Sequence, residues 1–556
     1  MSKKIKIPLK KLAAGVAIGM IGLSGGYIAP TMASETEVSG FVENATYYRD
    51  GVGLSKFRNT AQLEFRKLLT SDGWSNVSIS GTLRGTYDGV YDLNDDEFGK
   101  DASEAYLGES WHDNSTLSSQ ALLTPGVYFP CENNATYCNN LNGYMDHDEN
   151  EAKFPEFNDE LDFIRELYIS GDKILDDGTT LNLTFGKQQV IWGKTDLFRV
   201  LDVINPVDYS RHNIYDELED IRIPQWMITA EWRMGPNNVL DDSNLSLIWN
   251  IDKFRPHNLG TCGQSYRIVD AGCFFASSVG PVPVIHDVQE YDWDLSNTQF
   301  GIKWEGVYGD MTFSLNALHY RQQLPSIHFR GNPDFNPANF NPADITSFPF
   351  QADGIFDIHF PRVNLLGGSF DYYSEGIDAV WRLETSYTQG EELPRDTDGH
   401  KKTDMFRYVV GFDKNMVLPA LGTTSAFLIS AQVFGEHILD HEIDMPNEED
   451  NWIGTLLIKG WYINNRLSPQ IIIAHDVGAK ATVIAPSIEY LVSDTWKVNL
   501  GLNIKSGGNE KFPWSATGLF GQPGVSQYEP LARFTNGPIG VANNEDELQL
   551  TVRYSF

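Results

Sequence analysis

Long apolar runs are missing from most of this 556-residue chain. Past residue 33 no stretch of about 18 consecutive apolar residues occurs, which excludes a helical membrane span there. Positive charge is also scarce, with 42 lysines and arginines against 75 aspartates and glutamates and a formal net charge of −33. Nucleic-acid binding needs a basic footprint, so that class is set aside. The acids gather in polar stretches such as Asp95-Asp96-Glu97 and Asp146-His147-Asp148-Glu149. These read as solvated surface, or as sites where divalent cations bridge to lipopolysaccharide.

Cysteine is sparse too. The four form two close pairs, Cys131/Cys138 and Cys262/Cys273. Neither pair has metal-ligand spacing and no Cys-x-x-Cys-His haem attachment site occurs, so no metal or cofactor is implied. In a secreted chain two local disulfides that pin loops are the economical reading, and crossed pairing stays open. Catalytic signatures are lacking: there is no nucleophile elbow, no His-Glu-x-x-His and no glycine-rich phosphate loop. His437 and His441, beside Asp440 and Glu442, read as a solvated run, and His475-Asp476 has no identifiable serine partner. The chain does not read as an enzyme.

The first positive signal is a secretory leader. Lys3, Lys4, Lys6, Lys10 and Lys11 precede an apolar stretch from Leu12 to Ala29 that five glycines interrupt. Thr31-Met32-Ala33 offers a small residue for cleavage, so residues 1–33 read as a signal peptide and 34–556 as one unit. Losing the five lysines takes the formal charge from −33 to −38.

Past the leader, apolar and polar residues alternate with period two. Leu548, Leu550, Val552, Tyr554 and Phe556 alternate with Glu547, Gln549, Thr551, Arg553 and Ser555. Val77, Ile79 and Leu83 oppose Ser78, Ser80, Thr82 and Arg84, and Leu500, Leu502 and Ile504 oppose Asn499, Asn503 and Lys505. Aromatic residues make up 12% of the chain, enough to supply interfacial girdles. About 18 such segments can be placed, or 16 if one hairpin is misread. Numbered in order, the even connections include short turns such as Ser71-Asp72-Gly73, Tyr308-Gly309-Asp310 and Ser493-Asp494. The odd ones include every long segment: 89–161, 192–225, 253–294, 322–362 and 507–545. Only 477–479 is short among them. A two-sided membrane barrel sorts its loops this way, with short turns on the periplasmic side and both termini there, whereas a soluble sandwich has no reason to. The predicted fold is all-β: a transmembrane antiparallel β-barrel with long extracellular loops partly folded inward.

On that pleat the inward charges are Glu64, Arg66, Arg84, Lys303, Glu305, Arg382, Glu384, Lys497, Lys505, Glu547 and Arg553. Their signs are mixed, so no ring of one charge points to ion selectivity. Glu64/Arg66, Lys303/Glu305 and Arg382/Glu384 sit two apart and read as neutralising pairs, or as a polar track for an amphipathic or anionic solute. Lys497 and Lys505 lack acids on their own strands and are the better candidates to touch an anion.

The stretch Gly186-Lys187-Gln188-Gln189-Val190-Ile191-Trp192-Gly193, followed by Asp202-Val203-Ile204-Asn205-Pro206-Val207-Asp208, resembles a large family of proteobacterial outer-membrane proteins long catalogued as a domain of unknown function. Glu166-Leu167-Tyr168 and Arg382-Leu383-Glu384 match its style, while Lys187 stands where many members carry arginine. The resemblance implies a barrel over most of the chain and transport of hydrophobic or lipid-like compounds across the outer membrane, beside a periplasmic transport partner and an inner-membrane exporter. Taken with the polar lining, the expected cargo is a small, amphipathic or lipid-like solute. Which solute stays open. The terminal Phe556 resembles the last residue of outer-membrane proteins, which the barrel-assembly machinery reads. From the residues themselves, Leu181, Leu183 and Phe185 make a lipid face, and Asn205-Pro206 breaks regular structure in an outward connection. Segment 195–222 is therefore either an inward-folded element, with Gly186, Gln188, Trp192, Gly193, Asn205, Pro206 and Asp208 as its constriction motif, or a structured external loop. Two rivals to the transporter are a sheath around multihaem cytochromes or surface receptor, and an outer-membrane hydrolase whose triad is scattered over strands.

Overall fold

The computed structural model describes residues 36–99, 147–195, 199–211, 218–261, 282–339, 344–395, 399–422, 425–445, 447–478, 480–507 and 546–556, with short pieces at 129–130, 141, 143–145, 263–266, 277–279, 341, 513–515 and 523–525. The leader lies outside the described residues, and so do Cys131, Cys138, Cys262 and Cys273. The two disulfides expected from the sequence, Cys131–Cys138 and Cys262–Cys273, therefore fall outside the described residues, and none is present among those that are described. Eighteen strands build the wall. The first six are β1 (Thr36–Arg49), β2 (Gly53–Leu68), β3 (Ser75–Asp88), β4 (Ile164–Ile174), β5 (Thr180–Gln188) and β6 (Gln225–Arg233). Next come β7 (Asp242–Asn250), β8 (Gln299–Tyr308), β9 (Met311–Arg321), β10 (Arg362–Ser374), β11 (Ala379–Arg395) and β12 (Gly399–Val417). The last are β13 (Ala426–Ile438), β14 (Asp450–Lys459), β15 (Leu467–Asp476), β16 (Ala481–Leu491), β17 (Trp496–Gly507) and β18 (Glu547–Ser555). Each pairs antiparallel with the next, and β18 pairs with β1, setting Ser555 opposite Phe41 and Glu547 opposite Arg49. The sheet closes on itself, so no wall strand is left with an open edge.

Even-numbered connections never exceed eight residues, and the five longest, 89–163, 189–224, 251–298, 322–361 and 508–546, are all odd. The sorting expected from the sequence holds, with two further short odd hairpins at 50–52 and 396–398. Strands β2, β11 and β12 continue past the apolar band, where period-two hydrophobicity fades and turn signals become poor guides.

The pleat puts the apolar rows outside. Phe300, Ile302, Leu366, Leu500, Leu502, Leu548 and Leu550 are exposed on the wall. Exposed aromatics collect at both rims: Trp232, Tyr372, Trp381, Tyr490, Trp496 and Tyr554 by the short turns, and Trp226, Trp249 and Trp452 by the long loops. An apolar band between two aromatic girdles is the outer surface of a barrel that sits in a membrane. Among the described residues no helix is long and apolar enough to cross one. Leu500, half exposed near the middle of β17, faces the centre of that band. Leu500→Arg is expected to cost about 2–4 kcal/mol in lipid, whereas Thr551→Lys on the lumen face should cost far less. Urea unfolding in liposomes checks the difference, and equal costs would contradict the assigned faces.

Long connections cap one end. Residues from three of them, including Leu141, Phe254, Leu259, Val282, Ile285, Ile327, Phe350, Phe356 and Ile358, form one buried apolar cluster. Its frame is a small sheet in which Ile285–Val288 runs parallel to Phe356–His359, which pairs antiparallel with Ser326–Phe329.

Candidate functional site

The connection from β5 to β6 enters the lumen. Trp192, Val200, Leu201 and Ile204 are buried in one cluster with Met227, Ile248, Leu318, Tyr320, Val363, Leu365, Val409, Phe434 and Ile453. The latter residues come from β6, β7, β9, β10, β12, β13 and β14, so the segment packs against the inner wall over nearly half the ring. Leu201 is 1% exposed and Val363 is fully buried. Of the two readings of segment 195–222, the structure shows the inward-folded one. The signal was present where both faces of a strand are apolar, as in Val363-Asn364-Leu365-Leu366 and Val409-Val410.

Asn205, fully buried, closes the neck of this plug. Its Oδ1 accepts from the Val190 amide at 2.9 Å, and its Nδ2 donates to the Ile223 carbonyl at 2.9 Å and the Gln188 carbonyl at 3.4 Å. One amide side chain thus staples where the segment leaves β5 to where it returns to β6. The Ile223 amide donates to the Pro206 carbonyl and the Asp208 amide to the Ile221 carbonyl, at 2.8 and 2.7 Å. Gly186 has φ +148°, and a Cβ there would lie 2.2 Å from the Leu167 carbonyl oxygen. Only glycine lets β5 turn inward so close to β4. A Cβ on Gly193 would meet Asp202 at 2.9 Å. Gln188 donates to the Met227 carbonyl at 3.3 Å.

Charged groups hold the plug from opposite walls. On β2, β3 and β4 stand Arg58, Arg84 and Arg165. Arg58 donates to the Arg211 carbonyl at 2.7 Å and pairs with Asp88 at 3.1 Å. Arg84 pairs with Asp220 at 2.7 Å and reaches Gln62 at 2.7 Å. Arg165 donates to the Asp220 and Arg222 carbonyls at 3.0 and 3.1 Å, and also to that of Glu219. It thereby satisfies the carbonyl end of the short helix Leu218–Ile221. Across the lumen, the Lys194 amide donates to Glu384 at 2.5 Å, its ammonium pairs with Asp371, and its carbonyl accepts from Arg382 at 3.2 Å. Within the plug, Arg222 Nε lies 2.8 Å from Asp202 Oδ2, with Arg199 3.7 Å from the same oxygen. Arg211 pairs with Glu156 and with Asp208 at 3.4 Å.

The plug is also tied to the cap. The Val207 amide donates to His257 Nδ1 at 2.9 Å. Burial, with Arg199 adding to it, pushes His257 well below its usual pKa, which keeps the ring neutral and able to accept. At the rim, burial alone would raise Asp162, but Arg255 and Lys187 outweigh it and hold that carboxyl far below the usual carboxylate range.

The other interior residues fall as follows. Lys303 and Glu305 pair at 2.7 Å. Arg382 pairs instead with Asp413 on the next strand at 2.7 Å, because Glu384 is engaged by Lys194. Glu64 accepts from Gln62 at 2.6 Å, and among the described residues no Glu64–Arg66 ion pair forms. Lys497 meets Glu489 on the neighbouring strand at 3.1 Å, a partner that scanning single strands could not find. The Lys505 amide donates to Asp546 at 2.9 Å. Arg553 pairs with Glu43 across the closing seam at 2.6 Å. Glu547 is buried and accepts from Ser55 at 3.0 Å and from the cap residue Tyr266 at 2.6 Å. It ties cap to wall.

No curated protein matches the sequence. Solved structures with a similar fold include Pseudomonas aeruginosa OccK3 (OpdO), 9% identical over 94% of this chain and 96% of that one, with a TM-score of 0.41. Salmonella typhi OmpF in complex with daunomycin is 8% identical over 94% of this chain and 98% of that one, with a TM-score of 0.37. The loop L8 deletion mutant of OmpT, an outer membrane protein of Vibrio cholerae, is 7% identical over 94% of this chain and all of that one, with a TM-score of 0.36. A family model described as protein of unknown function (DUF1302) matches residues 43–556. That span begins within β1 and takes in every later strand and the plug, and the chain belongs to this family.

Proposed function

We propose that the protein is an outer-membrane channel or transporter, held closed at rest by segment 189–224, and that it passes a small, amphipathic or lipid-like solute. The burial of Trp192, Leu201 and Ile204 against lumen-facing side chains carries the reading. A static open pore needs no apolar lining, whereas a path that alternates between plugged and open needs a surface on which the plug can seat. The same lining suits a cargo with an apolar part. A sheath around another folded protein would need a clear bore where the plug crosses, and this favours the transporter.

Further parts of the proposal follow the sequence. The leader would be cleaved near Ala33, and the cap would face lipopolysaccharide, its loops pinned by the pairs Cys131/Cys138 and Cys262/Cys273. Phe556, exposed at the end of the last strand, would be the assembly signal, and a periplasmic partner would meet the short-turn rim.

Flux into liposomes tests the reading. Native protein is expected to take up an amphipathic anion such as a bile salt while leaking little of a small sugar. Rapid, unselective sugar leakage would refute a closed resting state. Folded protein that passes no amphipathic solute would refute the assigned cargo class.

A further inference from the structure

We propose that His328, Glu392 and His400 form a binding site for one divalent transition ion of the zinc class, which clasps the cap to the β11–β12 hairpin. The donor atoms of the three side chains lie within 4.8 Å of one another. They come from three segments: the cap strand Ser326–Phe329, the far end of β11 and the start of β12. His328 Nε2 lies 2.9 Å from Glu392 Oε2. The His400 ring stacks on His328 at 3.6 Å and 24°, and the His359 ring covers the other face at 4.0 Å.

The surroundings hold this cluster in place. Glu392 is gripped through its backbone, its amide donating to Gln322 Oε1 at 2.9 Å and its carbonyl accepting from Gln322 Nε2 at 3.0 Å. Gly399 has φ +104°, and a Cβ there would lie 2.7 Å from the Ile327 carbonyl oxygen and 2.9 Å from the Phe329 amide nitrogen. Glycine therefore lets the hairpin come down on the cap strand beside His400. Between Thr388 and Glu391, β11 advances three residues while β12 advances two. That bulge reverses the pleat and turns Glu392 away from the lumen row that holds Glu384. The nearby cations Arg395 and Lys401 are engaged by Glu442, so their charge is partly offset. Side-chain exposures of 25% for His328 and 14% for Glu392 leave a way in from the medium.

Two imidazoles from separate segments thus converge on one carboxylate. Two nitrogens and one carboxylate oxygen suit zinc, nickel, cobalt or copper better than calcium or magnesium. Donors at zinc bond lengths of about 2.0–2.2 Å sit roughly 3.3–3.5 Å apart, so binding would close the wider gaps and rotate the His400 ring out of its stack on His328. Three protein ligands leave a position for water. The ion would join the connection 322–361 to the β11–β12 hairpin of the wall, so its role is to hold the mouth of the barrel in one arrangement. This inference does not depend on the transport reading.

The test uses the full chain purified in detergent without a polyhistidine tag and stripped with EDTA. Calorimetric titration with Zn(II), and the absorption spectrum with Co(II), should give one saturable site per chain, with no response to Mg(II). His328→Ala, His400→Ala and Glu392→Gln should each weaken binding at least about a hundredfold, since loss of outer-shell support alone costs 10–100-fold. His437→Ala should leave it unchanged. Zn(II) should also slow proteolysis within 322–361 in the native chain only. Heat-modifiable migration on gels confirms that each barrel is folded, and Glu392→Gln keeps both backbone bonds to Gln322 if a histidine variant misfolds. Absence of saturable Zn(II) binding, or binding unchanged in folded Glu392→Gln and His328→Ala chains, would overturn the proposal.

Discussion

Asp202→Ala is expected to open the barrel, turning a chain that conducts rarely in planar bilayers into one that conducts most of the time. The carboxylate sits between Arg222 at 2.8 Å and Arg199 at 3.7 Å. These side chains are at most 10% exposed. Removing it leaves the Arg222 guanidinium without its counter-charge beside the apolar seat of the plug. Breaking a buried pair by deleting one partner costs about 3–5 kcal/mol. If that cost falls on the closed state, the open-to-closed ratio rises by roughly two to three and a half orders of magnitude, at about 1.4 kcal/mol per tenfold.

The control separates loss of charge from loss of packing. Asp202→Leu combined with Arg222→Met replaces the pair by apolar groups of similar bulk, a change that is often neutral or stabilising. Arg199 keeps its bonds to the Asp202 and Asn205 carbonyls. The double variant should therefore close again, while Asp202→Ala stays open. If the single variant, shown to be folded, gates like the native chain, the pair does not latch the plug.

The strand order was legible because a barrel writes itself in a local code. Leu548, Leu550 and Tyr554 face lipid whatever the rest of the chain does, and turns such as Gly309-Asp310 announce themselves. All eighteen expected strands have counterparts in the wall. Boundaries are hard to read where that code stops: β2 begins at Gly53, although Ser55, Lys56 and Arg58 lie above the apolar band and face the cap or plug. The motif around Asn205 marked the right segment but left its direction open. Its placement rests on contacts with strands far away in sequence, as Arg84 with Asp220 and Lys194 with Glu384. Arg58, Arg165 and Arg222 carry no local mark of their role, because an inward arginine looks the same whether it meets water or a plug. His328, Glu392 and His400 are equally silent in sequence, lying on three separate segments. The pairs Cys131/Cys138 and Cys262/Cys273 fall on residues outside those described, so the disulfides read from their spacing stay an expectation of the sequence.

Replacing residues 195–222 by a short glycine-serine linker should have the largest effect of all. The segment contributes no residue to the eighteen-strand ladder, so the barrel is expected to assemble and still migrate as a folded species. The replacement removes Leu201, Ile204 and the Asn205 staple together. It exposes Leu318, Val363, Leu365 and Val409 to water, which lowers stability without opening the wall, since burial of such side chains is worth about 1.5–3 kcal/mol each. It also frees Arg84 and Arg165 from their plug partners. A lumen bounded by eighteen strands is wide once emptied, because barrel diameter grows roughly in proportion to strand number.

Single-channel conductance of this variant beside the native chain, in the same bilayer and salt, puts the account to its most direct test. An inward-seated plug predicts a steady step many times larger than any the native protein shows. Equal conductance in the two, or a native chain that already carries the full current, would contradict it.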